Sequence, residues 1–192
     1  VAKPDHNPET NTSGSKTVPI SQPIKIHDLL RHTSGFTYGF FGQSPAKQKL
    51  KQSGLADLTS LDTPLKQFVT RLSTLPLAYQ PGTHWEYGRS TDVLGYLIEV
   101  IAEENLNSFL KESIFEPLGM PDTGFWVPEK DWSRIAEPLK NTGEPQLIDV
   151  MKKPEMLAGG HGLVSTAGDY LRFCQMMLNG GVLEGVRVLG PK

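Results

Sequence analysis

Apolar residues recur at helical spacing along several stretches of this chain, and turn formers fill the intervals between them. The clearest stretch follows the turn at Pro81-Gly82 and the large apolar anchor Trp85. Val93, Leu94, Leu97, Ile98 and Ile101 fall there on one face of a helix. Ser90 or Thr91 is placed to cap its N-terminus, and Asp92 puts a negative charge in the first turn, where the helix dipole favours it. Upstream, Ile26 to His32 reads as a short helix with Leu29 and Leu30 turned inward, stopped where Gly35 can take the left-handed C-cap conformation. An aromatic and glycine-bearing loop from Phe36 leads into a Lys/Gln-rich helical piece ending near Gly54. Thr63-Pro64 opens the next helix as cap and first-turn proline, with Leu65, Phe68, Val69 and Leu72 on its apolar face and Pro76 at its end. Phe109, Leu110 and Ile114 form a further stripe, stopped by Pro117 and Gly119.

The rest of the chain is patterned differently. From Pro121 to Leu157 proline, charge and scattered aromatics dominate, with Thr123 to Val127 as the best short extended piece; a long loop of this kind is expected to face the site. The last helix opens at Thr166, whose Thr-x-x-Asp pattern with Asp169 resembles a capping box, and its expected buried face is Tyr170, Phe173, Cys174, Met177 and Leu178. It ends at Asn179-Gly180-Gly181, and Val182 to Leu189 alternates around Glu184-Gly185 like a hairpin. Residues 1–23 are rich in Pro, Asn, Ser, Thr and Gly without periodicity and read as a flexible arm or loop with little structure. These signals sum to a mainly α fold with a few short strands, in an arm (1–23) and one body (24–192).

Composition narrows the function. A chain of 192 residues is long enough to bury a real core, and 19 Lys plus Arg against 21 Asp plus Glu leave a formal charge of −2 with no basic stripe, which argues against a nucleic-acid partner. No apolar run approaches the roughly 20 residues a membrane-spanning helix needs. Cys174 is the single cysteine, so no intrachain disulfide forms, and both an exported and a cytoplasmic location stay open. The chain starts at Val1 without an apolar signal core, which fits either processing or an excerpt of a longer chain. His-Glu-x-x-His, Cys-x-x-Cys, Gly-x-Ser-x-Gly, Gly-x-Gly-x-x-Gly and Walker patterns do not occur, so neither a metal nor a cofactor is expected.

The candidate chemistry centres on Tyr87, which lies just before the N-terminus of the clearest helix. A helix N-terminus and a nearby cation such as Arg89 favour a phenolate, which is a proton acceptor. The alternative is a half-buried tyrosine with a bonded hydroxyl.

Four segments, HDLLRHTSGFTYG, QPGTHWEYGRSTDVLGYLIE, IFEPLGMPDTGFWVP and GGHGLVSTAGDYLRFCQMMLNGG, follow one another in this chain. Together, from about Ile24 to Lys192, they resemble the serine β-lactamase and penicillin-binding-protein-like family, in its class C β-lactamase and carboxylesterase branch. The resemblance implies a helical domain packed beside a sheet-bearing domain, with the active site between them. It implies Tyr87 as general base towards the serine of a Ser-x-x-Lys motif at a helix start, which attacks an ester or amide carbonyl to form an acyl-enzyme. Ser-x-x-Lys occurs at Ser13, Ser44 and Ser108, none in the family's context. The nucleophile is therefore expected before Val1 and the Lys-Thr-Gly-type strand after Lys192, leaving this chain inactive alone. Arg89 stands where β-lactamases carry an asparagine, whereas Tyr87 and Ser90 match the Tyr-x-x-Ser form of esterases. Arg89 is then either a substrate carboxylate contact or a solvated cation, Ser90 is expected to contact substrate, and His161 either lines the acyl pocket or is an ordinary loop histidine. The expected partners are a small-molecule ester or amide and the remainder of the parent chain. The alternative function is a non-catalytic domain that binds a peptidoglycan-like ligand or a protein.

Overall fold

The computed structural model describes residues 2–5, 14–40, 42–137 and 148–191. In order these form strands β1 (Ala2–Asp5) and β2 (Gly14–Thr17), then helices α1 (Ile26–Leu30), α2 (Pro45–Gln52), α3 (Leu65–Leu72), α4 (Ser90–Ala102) and α5 (Leu106–Leu110). A π-helical turn Lys111–Phe115 and a 3-10 turn Glu129–Arg134 precede α6 (Ala167–Leu178) and strands β3 (Val182–Leu183) and β4 (Val186–Arg187). Strands occur among the described residues only as antiparallel pairs, β1 with β2 and β3 with β4. The helix-rich expectation agrees. No helix among the described residues is long and apolar enough to cross a membrane.

The arm departs from the sequence reading. Ala2 pairs with Thr17 and Asp5 with Gly14 in a four-residue ladder. Main-chain hydrogen bonds alone make such a ladder, so hydrophobic alternation does not announce it. Residues 6–13 lie outside the described residues.

Helix α3 starts at Leu65 with Pro64 as its N-cap, one residue later than expected, and buries Leu65, Phe68 and Leu72. These pack with Leu50 of α2, with Leu55 and Leu61, and with Met156 and Ala158 from the distant loop. A second cluster joins Phe115, Leu118 and Met120 to Met176 of α6 and Leu183 of β3. In α1 Leu29 is buried, but Leu30 is exposed, because five residues of helix present only one narrow face to α4.

Helix α6 buries a different side from the one expected. Met176 is fully buried and Phe173 partly so, whereas Tyr170, Cys174, Met177 and Leu178 face out. Polar ties select the face. The Asp169 carboxylate accepts from the Asp122 amide and the Thr123 hydroxyl, both at 2.8 Å, and Arg172 Nε donates to the Leu118 carbonyl. Thr166 caps the helix through the Asp169 amide at 3.2 Å, but the Asp169 side chain is turned to the preceding loop, so half of the capping box forms. The β3–β4 hairpin agrees with its pattern: Glu184 and Gly185 both have positive φ (+48° and +85°), as a two-residue turn of this hand requires.

In α4 the fully buried positions are Ser90, Asp92 and Gly95, and Ile101 is 71 % exposed instead of inward. The helix is seated by close backbone approach more than by its apolar stripe. A Cβ on Gly159 would lie 2.1 Å from the Thr91 carbonyl oxygen, and one on Gly95 would lie 3.0 Å from Gly159 Cα. Gly159→Ala is therefore expected to push the 158–161 loop off α4 and to destabilise the protein by about 1–3 kcal/mol, read as a lower urea midpoint at unchanged slope.

Candidate active site

The approach to α4 is fixed from both sides. The turn after α1 is bonded to the 78–86 loop by Ala78 N to Gly35 O (2.9 Å), Gly82 N to Thr33 O (2.8 Å) and Glu86 N to His32 O (2.8 Å). Gly88 then lies flat on the Phe36–Thr37 backbone, where a Cβ would fall 2.4 Å from the Phe36 carbonyl oxygen. Only glycine fits between Tyr87 and Arg89. The sequence mark of that constraint is a glycine one residue ahead of the α4 N-cap Arg89, which helical periodicity does not single out.

Tyr87 is 45 % exposed and surrounded by rings. His32 lies 5.1 Å away between centroids, Tyr38 5.2 Å in an edge contact, and Trp85 6.3 Å and nearly parallel. Tyr38 is buried beneath it. Burial above all, and then the Asp92 carboxylate, push the Tyr38 phenol up to about 12, with Arg89 working the other way, so it stays a neutral phenol. Beside the rings, Glu86 accepts from the Thr37 hydroxyl at 2.6 Å and pairs with Lys47 at 2.9 Å.

Arg89 and Ser90 are not where a substrate contact needs them. The Arg89 side chain is 1 % exposed and its Nη2 donates to the Leu55 and Asp57 carbonyls, at 2.7 and 3.2 Å. Nη1 meets Asp92 Oδ2 at 3.3 Å, and the guanidinium lies over the Tyr38 and Phe68 rings at 5.1 and 5.0 Å. Both sequence readings of Arg89, substrate contact and solvated cation, are corrected to an internal brace. Ser90 is fully buried with its hydroxyl 2.9 Å from that of Ser34. It locks α4 to the turn after α1.

Asp92, read from the sequence only as a dipole-matching charge, is the hub. Its Oδ2 takes Arg89, and Oδ1 accepts the Gly160 amide at 3.0 Å and lies 3.8 Å from His161 Nδ1. The local sign was an acid three residues after an arginine at a helix start. His161 Nε2 meets the Leu58 carbonyl at 3.0 Å, and since a carbonyl only accepts, that nitrogen carries the proton. His161 also lines a cleft of about 460 Å³ between α4 and the 158–163 loop, walled by Leu94, Ile98, Leu110, Phe125 and Leu163. Tyr87 is not among the residues lining it.

Of the Ser-x-x-Lys patterns, Ser13 lies outside the described residues. Ser44 Oγ caps α2 by accepting from the Lys47 amide at 3.3 Å, and Lys47 is held by Glu86. Ser108 donates its amide to the Asn105 cap at 3.0 Å, and Lys111 turns to Glu116 at 3.4 Å. No group of three or more metal-ligating side chains occurs among the described residues.

The β-lactamase family model matches residues 6–190, and the chain belongs to that family. Protein Rv1367c of Mycobacterium tuberculosis is 37% identical over an alignment of 185 residues that covers 92% of this chain and 44% of that protein. Esterase EstB of Burkholderia gladioli is 34% identical over 145 residues, 74% of this chain and 36% of the esterase. The solved structure of EstCE1, described as a hydrolase with promiscuous acyltransferase activity, superposes with a TM-score of 0.69 at 26% identity, covering 88% of this chain and 49% of EstCE1. The chain thus spans less than half the length of these relatives.

Two expectations follow from the hub. Asp92→Ala leaves the Arg89 guanidinium buried without its acid and is expected to cost about 3–5 kcal/mol in denaturant unfolding. His161 is held below its ordinary 6.5, foremost by burial, with Arg89 acting the same way and Asp92 and the Leu58 carbonyl opposing. The unfolded chain takes up that proton first as pH falls, so the stability tied to neutral His161 is full above 6.5 and lost as pH drops through the folded value. In His161→Gln the slope of unfolding free energy against pH just below 6.5 is expected to flatten.

Proposed function

We propose that residues 24–192 are the helical, tyrosine-bearing domain of a serine hydrolase that cleaves an ester through an acyl-enzyme, with Tyr87 as general base. The observation that carries this reading is the partly exposed phenol of Tyr87, held among three rings at the entrance of α4. Its buried neighbour Tyr38 stays protonated, so Tyr87 is the phenol of the pair that solvent and substrate reach. The naming of EstB as an esterase and of EstCE1 as a hydrolase with acyltransferase activity supports ester chemistry over lactam chemistry.

In this mechanism the Tyr87 oxygen takes the proton of a serine hydroxyl as its oxygen attacks the ester carbonyl carbon. The alcohol leaves with that proton, and water, or a second alcohol in acyl transfer, attacks the acyl-serine by the reverse path. The serine is supplied by the remainder of the parent chain. The cleft beside His161 is apolar enough to hold an acyl chain, with the imidazole at its wall. Arg89 and Ser90 serve by holding α4, not by touching substrate.

In the full-length gene product, Tyr87→Phe is expected to lower the acylation rate by roughly 10² or more with p-nitrophenyl butyrate. An unaltered rate removes Tyr87 from the mechanism. Absence of both turnover and covalent adduct in the wild type, with this ester and with nitrocefin, supports a binding domain instead.

A further inference from the structure

His32 combines three features that its place in a surface turn does not require. Its backbone is left-handed, with φ of +55°, a conformation that residues other than glycine adopt at a cost and that persists where the surroundings impose it. Two main-chain bonds impose it here, His32 N to Leu29 O at 3.2 Å and Glu86 N to His32 O at 2.8 Å. The result is an imidazole directed against the approach to α4, 5.1 Å from the Tyr87 ring and 6.3 Å from the Trp85 ring. Its Nδ1 is buried with no hydrogen-bond partner among the described residues, so no hydrogen bond from that atom holds the ring. Ring packing and the backbone do.

We infer that His32 is a positioning residue for Tyr87: its ring, together with that of Tyr38, clamps the phenol so that the oxygen of Tyr87 points along one direction. This rests on the reading of Tyr87 as the proton acceptor. A general base must sit within hydrogen-bond reach of the proton it takes, and a phenol at the rim of a site has one soft torsion about Cα–Cβ to be fixed. The His32 and Tyr38 rings both pack against the phenol ring, at 5.1 and 5.2 Å between centroids, and so restrict that swing. The left-handed backbone is what places the imidazole there, since it turns the chain back on itself between α1 and the 33–35 turn.

The test separates the ring from the backbone. Asparagine tolerates the left-handed conformation as histidine does, so His32→Asn keeps the turn and removes the clamp. His32→Phe restores a ring without the nitrogens. In the full-length gene product acting on p-nitrophenyl butyrate, His32→Asn is expected to lower kcat about 10-fold or more, the scale of a misplaced reacting group, while KM and the melting temperature stay near wild type. His32→Phe is expected to recover most of the loss. A second readout needs no turnover: the fluorine signal of 3-fluorotyrosine at position 87, assigned by its disappearance in Tyr87→Phe, is expected to move towards the free amino-acid position in His32→Asn and to stay displaced in His32→Phe. An unmoved fluorine signal in His32→Asn overturns the inference, as does an unchanged kcat, or a kcat loss in His32→Asn matched by an equal loss of stability. If Tyr87→Phe is itself fully active, the general-base reading fails, and the fluorine signal alone decides whether His32 clamps the ring.

Discussion

The buried ion pair of Arg89 and Asp92 is the constraint on which the candidate site depends. Two charges withdrawn from water are costly unless nearly every donor and acceptor around them is matched. Here the guanidinium has two carbonyls, one carboxylate and two ring faces, and the carboxylate has an arginine and a backbone amide. The partners come from five places: the 55–57 loop, the start of α4, the 160 loop, Tyr38 in the loop after α1, and Phe68 in α3. Satisfying one pair of charges therefore fixes five segments against each other. Tyr87, two residues upstream of Arg89, inherits its position from that lock.

Glycines complete what the charges begin. Gly88 and Gly159 both sit where a Cβ would overlap a carbonyl oxygen, that of Phe36 and that of Thr91. They let main chains touch where side chains would hold them apart. The entrance of α4 is thus built from polar pairing and backbone contact, while apolar clusters pack around α3, under α6 and against Ile98 further along α4. A hydrophobic core of this kind sets overall stability; the polar lock fixes the backbone from which Tyr87 projects.

Much of this architecture was readable from local signals. Thr166 caps α6 and Glu184-Gly185 turns the hairpin, because each of these is decided by a few adjacent residues; Gly35 has a positive φ but does not cap α1, which ends at Leu30 with Arg31 as its C-cap and His32 as the left-handed residue that follows. The four ordered segments identified the family. What was not readable depends on partners far away in sequence. In helix α6 the apolar periodicity pointed to the side of Tyr170, Cys174, Met177 and Leu178, but Asp122, Thr123 and Leu118 drew the other side inward through Asp169 and Arg172. Arg89 was read as a surface or substrate cation because an arginine is seldom fully buried, and the carbonyls of Leu55 and Asp57 that receive it have no sequence mark. Of the residues named for the site, Tyr87 is exposed and His161 partly so, and His161 lines a cleft that Tyr87 does not.

The same lock has a kinetic side. Leu58 and His161, joined by one hydrogen bond, are 103 positions apart, and Asp92 and Gly160 are 68 apart. Contacts of such long sequence separation require large loops to close before any of them is rewarded, which slows folding. A nascent chain holding only the first three helices and α4 carries Arg89 and Asp92 without the Gly160 amide. In that interval the two charges have reason to stay hydrated, so the α4 entrance is expected to be among the last parts to set.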